Sequence, residues 1–198
     1  MAVEELKKLE ALDFTKQLAF AYLTCERMFP NYVYFSENYG FGDPKILRDA
    51  IDFVYSAIFI ENNIDKQKIE YFLKTSKANI PGPDDHGSYY GTIALDSGAI
   101  VYESIVLLKK EDTKTSLTGI STTATNLIDC FIQTRDEMDY GDVDFEEKIL
   151  NDTVMQKEIA IQNGIISYLG RIGKVEPSDM ETLMQLQESE SKPLIVKH

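Results

Sequence analysis

The stretch DFTKQLAFAYLTCERMFP, residues 13–30, decides the fold class of this chain. Its apolar residues recur at steps of three and four, which places them on one side of a helix. They are Phe14, Leu18, Ala21, Tyr22, Cys25 and Phe29. Asp13 is a suitable N-cap, and Pro30 is predicted to end the helix, with only a short aromatic helix or turn after it.

The same spacing recurs along the chain, whereas strand-like alternation is hard to find. Further helices are predicted to open at Asp43 and Pro44, from Asp65 to Lys77, from about Tyr89 to Lys110, from about Thr115 to Met138, from about Asp152 to Ile172, and just after Pro177. We therefore expect an all-α fold: a single-domain multi-helix bundle of about seven to nine helices over residues 1–198. Residues 189–198 are predicted to form an extended C-terminal tail.

The helices on either side of KEDTK, residues 110–114, are predicted to pack as an antiparallel pair because this link allows only a tight reversal. The second helix carries hydroxyl groups or Gly119 at most positions off its apolar stripe. Its poor helix propensity favours a tight helix crossing, which Ser97 and Gly98 would permit, over a hydroxyl-lined pocket.

Charge excludes several functional classes. The chain has 33 acidic and 20 basic residues, for a net charge of -13. Such a surface repels phosphate backbones and anionic lipid, so we predict neither nucleic-acid nor membrane binding. Residues 1–12, MAVEELKKLEAL, are amphipathic and acidic, unlike the pattern of a signal peptide, and the two cysteines lie in apolar helical patterns. Both features are typical of a cytoplasmic protein.

Glu26 and Arg27 are the unusual feature of the opening stretch. Arg27 falls opposite the apolar stripe, beside Phe20 and Leu23, so this helix is apolar on two sides. A helix of this kind belongs in the middle of a bundle, where charges need partners. The two side chains point about 100° apart and should not pair only with each other. For Arg27 the expected partners are Asp43, Asp84 and Asp85.

Two segments outside the helices attract attention. The stretch ANIPGPDDHGSYYG, residues 78–91, contains the longest predicted irregular segment and is the first place to look for function. The tail contains PLIVKH, residues 193–198, and its three adjacent large apolar residues predict docking as a strand-like segment. The expected place is a groove between helices, on its own chain or on a second copy.

Several of these strings resemble the YjaG-like family of bacterial proteins, whose function is unknown. They are CERMFPNYVYF at 25–35, the following FGD, the acidic pair in IPGPDDHG and ISTTATNL at 120–127. The resemblance implies a cytosolic, all-helical protein without an assigned activity. The motif positions taken as candidates for a functional or structural site are Glu26, Arg27, Asn31, Tyr32, Asp43, Asp84, Asp85 and His86.

Structural roles explain these residues better than metal binding or catalysis does. Glu26, Asp43, Asp84, Asp85, His86 and Asp96 could supply ligands for Mg²⁺ or Ca²⁺, but capping and ion pairing explain the acids better. Only two histidines occur, so a di-iron bundle is excluded, and the zinc spacing is lacking. His86 beside its acids could act as a base, although a loop histidine is more often a surface residue.

The function predicted from the sequence is therefore a non-enzymatic binding module for another protein or for itself, with no cofactor and no metal. One alternative is an acidic inhibitor or immunity-type protein that neutralises a basic partner. For that alternative, the acidic run from Asp136 to Glu147 could receive the partner, although a solvated connection is the simpler interpretation. The other alternative is a metal-dependent hydrolase centred on residues 84–86.

Overall fold

The computed structural model describes residues 3–60, 64–82 and 89–187, and over these ranges the protein forms nine helices and no strand. The helices are α1 Val3–Glu10, α2 Phe14–Tyr39, α3 Pro44–Ile58, α4 Lys66–Ala78, α5 Tyr89–Leu107, α6 Thr113–Arg135, α7 Phe145–Asn151, α8 Thr153–Arg171 and α9 Pro177–Gln187. The all-α multi-helix bundle is confirmed. The predicted tail and the acids at 84 and 85 with His86 lie outside the described residues.

Aspartates begin most of the longer helices. Asp13, Asp43, Asp65, Asp112 and Asp152 each accept a hydrogen bond from a backbone N–H of the first helical turn. These bonds satisfy donors that the helix itself leaves unpaired. Local sequence therefore sets where these helices begin.

The central helix α2 runs through Pro30, so the prediction that it ends there is wrong. Proline removes one helical hydrogen bond and crowds the preceding turn, at a cost of about 3 kcal/mol. Beyond it, Tyr32 and Phe35 are fully buried. Full burial stabilises each such side chain by about 1.5 to 3 kcal/mol. Burial of the second half of α2 therefore outweighs the cost of placing a proline inside the helix.

The helices α5 and α6 make the most extensive helix contact of the described chain, joined by a tight reversal at residues 108–112. The antiparallel pair is therefore as expected, but the close approach at Gly98 is made elsewhere. A Cβ at Gly98 would lie 2.7 Å from Cγ1 of Ile80, in the segment after α4. The missing side chain thus makes room for that segment rather than for α6.

The acidic connection contains one more helix than the sequence indicated. Residues 136–147 are predicted as a solvated link, yet α7 begins at Phe145 and buries Ile149. A single buried position in seven residues gives too short a pattern for periodicity to detect. Tyr140 and Val143, which precede α7, are exposed.

None of the helices in the described ranges combines the length and the apolar composition needed to cross a membrane.

Candidate functional site

Arg27 lies at the centre of a buried polar network. Its Nε and Nη2 donate to the two carboxylate oxygens of Glu158 on α8, at 2.9 and 2.8 Å. Its Nη1 donates to Oε1 of Gln187, the last residue of α9, at 3.1 Å. The side chains of Arg27 and Glu158 are each only 3% exposed. The paired geometry is the one in which a guanidinium and a carboxylate bond most strongly.

The network continues beyond this ion pair. Gln162 Nε2 donates to Glu158 Oε1 at 2.7 Å, and Gln162 Oε1 accepts from the Ser121 hydroxyl at 2.7 Å. Gln187 Nε2 donates to the Leu23 carbonyl at 3.2 Å. The network therefore links α2, α6, α8 and α9, and its members satisfy one another in the interior.

The sequence prediction that a loop acid holds Arg27 is wrong. Asp43 caps α3 instead, accepting from the backbone N–H of Lys45 at 2.9 Å. The partner of Arg27 is Glu158, which is 131 residues away along the chain. Buried charge at Arg27 is confirmed, and its role in this structure is to fasten helices.

Glu26 pairs with a different cation. Arg48 Nη1 and Nη2 donate to its two oxygens at 2.9 and 2.6 Å, and Arg48 also contacts Asp52 on the same helix. The Arg48 guanidinium lies 5.5 Å from the centroid of the Phe29 ring, within cation–π range. This half-buried cluster fastens α3 to α2.

Tyr32 and Asp43 meet at one asparagine. The Tyr32 hydroxyl donates to the Asn79 carbonyl, while the Asn79 side chain accepts from the backbone N–H of Asp43 at 2.8 Å. Gly42, at φ +69°, leaves space for the Tyr32 hydroxyl, which a Cβ there would strike. Burial, then the charge of Asp43, raises the pKa of Tyr32 to about 12. The FGD motif thus anchors the end of α4.

Of the remaining candidate residues, one is described by the structure and three are not. Asn31 is buried and donates to the Met28 carbonyl at 3.1 Å, within its own helix. Asp84, Asp85 and His86 lie outside the described residues. Within the described part of the chain, no three His, Cys, Asp or Glu side chains come together as a metal site would require. The charged and phenolic motif residues that the structure describes are therefore spread over three separate contacts, those of Arg27, of Glu26, and of Tyr32 with Asp43.

Burial perturbs titratable groups on both α5 and α6, among them Asp96 and Cys130. Burial raises the pKa of Asp96 to about 6. It also raises the pKa of Cys130, with the charges of Asp96 and Asp129 adding to the effect. Cys25 on α2 is fully buried beside the Ser104 hydroxyl at 3.2 Å, and burial raises the pKa of its thiol to about 12. Neither cysteine is in an environment that favours a reactive thiolate.

A small pocket opens between α2, α3 and α9. It has a volume of about 230 Å³ and is lined by Tyr22, Tyr55, Met180, Glu181, Met184 and Gln185. The two tyrosine rings are 4.8 Å apart between centroids and tilted by 46°. Burial and then the charge of Glu26 raise the pKa of the Tyr22 phenol. A packed pair of tyrosine rings and the carboxylate of Glu181 therefore meet at one opening, with Glu26 close to Tyr22.

Comparison with known proteins gives the family. A family model described as "Protein of unknown function (DUF416)" matches residues 4–192. The chain belongs to the DUF416 family.

Two relatives of this DUF416 protein are similar over nearly all and about half of its length. "Uncharacterized protein YjaG" of Escherichia coli is 25% identical over 183 residues, covering 91% of this chain and 87% of the relative. The Salmonella typhimurium protein of the same name is 31% identical over 93 residues, covering 46% of this chain and 45% of its own. The resemblance to the YjaG-like family is thereby confirmed.

A crystal structure from Shewanella baltica supports the DUF416 fold. That protein, a DUF416 family member, superposes with a TM-score of 0.83 and is 22% identical, covering 98% of this chain and 97% of its own. At this identity the likeness establishes the fold alone.

Sequence reasoning missed the partners of the DUF416 motif residues, above all Glu158, Arg48 and Asn79. One signal was available for Glu158. On α8 the buried positions follow helical spacing, and Glu158 and Gln162 are the polar members of that buried face. Polar residues at core positions imply a buried network, although they do not name its cation.

Proposed function

We propose that this protein is a non-enzymatic binding module that recognises a basic segment of a protein partner through the pocket of Tyr22 and Tyr55. The observation that carries the proposal is the meeting of two aromatic faces and nearby carboxylates at one solvent-accessible opening. The proposal joins the binding-module interpretation of the sequence to its alternative, an acidic protein with a basic partner.

The ring geometry suits a cation. A cation is attracted to an aromatic face when it lies within about 6 Å of the ring centroid. The centroids of Tyr22 and Tyr55 are 4.8 Å apart, so the two rings pack directly on each other, and a cation in the pocket would lie over the open side of this pair, within range of a ring, rather than between the rings. The thioethers of Met180 and Met184 line the same pocket and adapt readily to the shape of a side chain.

The local charge balance is also favourable. Glu181 lines the pocket, and Glu26 lies close enough to Tyr22 to raise the pKa of its phenol. Arg48 is the nearby cation, but it is already shared between Glu26 and Asp52. These groups leave an excess of negative charge, on a chain whose net charge is -13.

The size of the pocket restricts the ligand. Pockets for drug-sized molecules occupy about 300 to 1,000 Å³. A volume of about 230 Å³ suits one side chain rather than a nucleotide or a larger metabolite. An arginine or lysine of a partner, including a methylated lysine, is the ligand class that matches both size and charge.

The test uses the short peptide acetyl-Gly-Arg-Gly-amide, with lysine and trimethyl-lysine versions, and a norleucine version as the uncharged control. Binding is measured by two-dimensional NMR of the full chain. We expect saturable shifts at Tyr22, Tyr55 and the methyl groups of Met180 and Met184 with the cationic peptides alone. Added salt should weaken binding.

Matched variants locate the site. Tyr55→Ala and Glu181→Gln should each weaken binding about 2- to 30-fold, the range expected for removal of one cation–π or charge contact. Tyr140→Ala and Glu146→Gln, changes at exposed positions away from the pocket, should leave it unchanged. Equal binding of the norleucine peptide, or equal losses in the control variants, would overturn the proposal.

A further inference from the structure

An apolar groove runs between α8 and α9, on the side of α9 away from the tyrosine pocket. Its volume is about 310 Å³. Its apolar lining consists of Ala160, Ile161, Gly164, Ile165, Leu183 and Leu186. Leu186 is 67% exposed, which is unusual for a leucine beside so much other apolar surface. An apolar segment that covers this groove would remove its apolar surface from water, which would stabilise the fold.

The chain itself continues from the end of this groove. Gln187, the last described residue, is one of its lining residues. The eleven residues after it, ESESKPLIVKH, consist of a polar spacer at 188–192 and then Pro193, Leu194, Ile195 and Val196. The strongest apolar run near the C-terminus therefore begins within a few residues of an apolar groove that the described part of the chain leaves open.

The lengths agree. Along α8 the groove extends from Lys157 to Ile165, which is about 12 Å at the helical rise per residue. A five-residue spacer can extend over about 17 Å, more than enough to reverse the chain at the end of α9. Four extended residues then cover about 13 Å, close to the length of the groove.

We propose that residues 193–196 fold back onto their own chain and fill the groove between α8 and α9 in an extended conformation. Pro193 and the β-branched Ile195 and Val196 favour such a conformation over another helical turn. Apolar burial supplies the stability.

The test measures the effect of one substitution on the melting temperature in two proteins, the full chain and a chain shortened to end at Gln187. In the full chain, Leu186→Ser should lower the melting temperature by about 3 to 6 °C, because Leu186 would be covered. In the shortened chain the same substitution should change it by less than about 1 °C, because Leu186 is then exposed. An equal change in both chains would overturn the proposal.

A point variant separates docking from a general effect of truncation. Ile195→Asp in the full chain should reproduce the loss caused by truncation, whereas Lys197→Ser should not. Light scattering should give the same monomeric mass for full and shortened chains. A full-length dimer that becomes a monomer on truncation would overturn folding onto the same chain. Because peptide binding is measured at the other face of α9, failure of this proposal is distinguishable from failure of the proposed function.

Discussion

At the scale of single residues, two neighbours in sequence serve two separate contacts. Glu26 and Arg27 diverge around α2, so Glu26 pairs with Arg48 and Arg27 pairs with Glu158. Each pair is bidentate, which fixes orientation as well as distance. The Arg27 pair is far more deeply buried than the Glu26 pair. Loss of Arg27 is therefore the more damaging change.

We predict that Arg27→Ala destabilises the protein by about 3 to 5 kcal/mol, because it leaves the carboxylate of Glu158 buried without its cation. Urea unfolding measures the change. The double variant Arg27→Met with Glu158→Met should recover most of the loss, since it removes both charges and retains volume. Arg171→Ala, at an exposed arginine, is the control and should cost less than about 0.5 kcal/mol. A loss at Arg27 as small as at Arg171 would contradict a buried pair.

Asp96 gives a prediction on pH. Its pKa is raised to about 6 by burial, whereas an aspartate in the unfolded chain titrates at about 3.9. Between these values the folded chain holds more protons than the unfolded chain. The contribution of Asp96 to stability therefore declines as pH rises from about 4 to about 7. Above that range the charged carboxylate is a constant penalty.

We predict that Asp96→Asn raises stability at pH 7.5 by about 1 to 2 kcal/mol, a value reduced from the full shift because Asp96 is only half-buried. The gain should vanish near pH 4, where the wild-type carboxyl is protonated. Urea unfolding across this pH range measures the difference. Glu146→Gln, at an exposed acid on α7, should show no such trend. A constant difference at all pH values would show that the charge of Asp96 is not its cause.

At the scale of elements, two helical glycines separate the effect of side-chain packing on stability from the effect of helix propensity. Gly98 on α5 faces Ile80, whereas a Cβ at Gly119 on α6 would meet only the Glu103 side chain at 3.8 Å, an ordinary contact. Both glycines lie within helices, where Ala is favoured by about 0.5 to 1 kcal/mol. The two positions therefore share a backbone effect and differ in available space.

We predict that Gly119→Ala stabilises the protein by about 0.5 to 1 kcal/mol. Gly98→Ala should instead destabilise it by about 1 to 3 kcal/mol, since Ile80 must move and the segment after α4 moves with it. Thermal and urea unfolding measure both. The double variant Gly98→Ala with Ile80→Ala tests the cause, because it removes the Cγ1 atom that the new Cβ would strike, so Gly98→Ala should cost less in that background than in the wild type. Stabilisation by Gly98→Ala alone would show that Ile80 adjusts freely.

At the scale of the whole molecule, the acids raise the question of metal binding. Asp84, Asp85 and His86 lie outside the described residues, so the prediction that no metal binds stays a prediction. Millimolar Mg²⁺, Ca²⁺, Mn²⁺ or Zn²⁺ should leave the melting temperature almost unchanged. A bound metal at 100 times its dissociation constant would add about 2.7 kcal/mol, or about 5 to 11 °C.

Calorimetric or fluorescence melts with each ion provide this measurement, with tyrosine as the probe because the chain has no tryptophan. A saturable rise in melting temperature that disappears in the double variant Asp84→Asn with Asp85→Asn would establish a metal site. It would favour the metal-dependent hydrolase over the binding module.

The sequence by itself determined where most of the longer helices begin and the central place of α2. Helix periodicity is a property of residues three and four apart, and an aspartate cap bonds within its own first turn, so short windows contain both signals. The apolar character of α2 on two sides likewise predicted its central position, and the buried residues all round it confirm this. The antiparallel pairing of α5 and α6 followed from a link too short for any other arrangement.

Tertiary structure decided which distant residues pair, how far α2 extends and where the pocket forms. The partner of Arg27 lies 131 residues away, and the burial of Tyr32 and Phe35 carries α2 through Pro30 against its local preference. The tyrosine pocket combines residues of α2, α3 and α9 that no short window contains. Such contacts depend on how helices pack and on the direction in which each side chain leaves its helix. Only the assembled fold fixes these directions, because many distant partners satisfy the same local pattern.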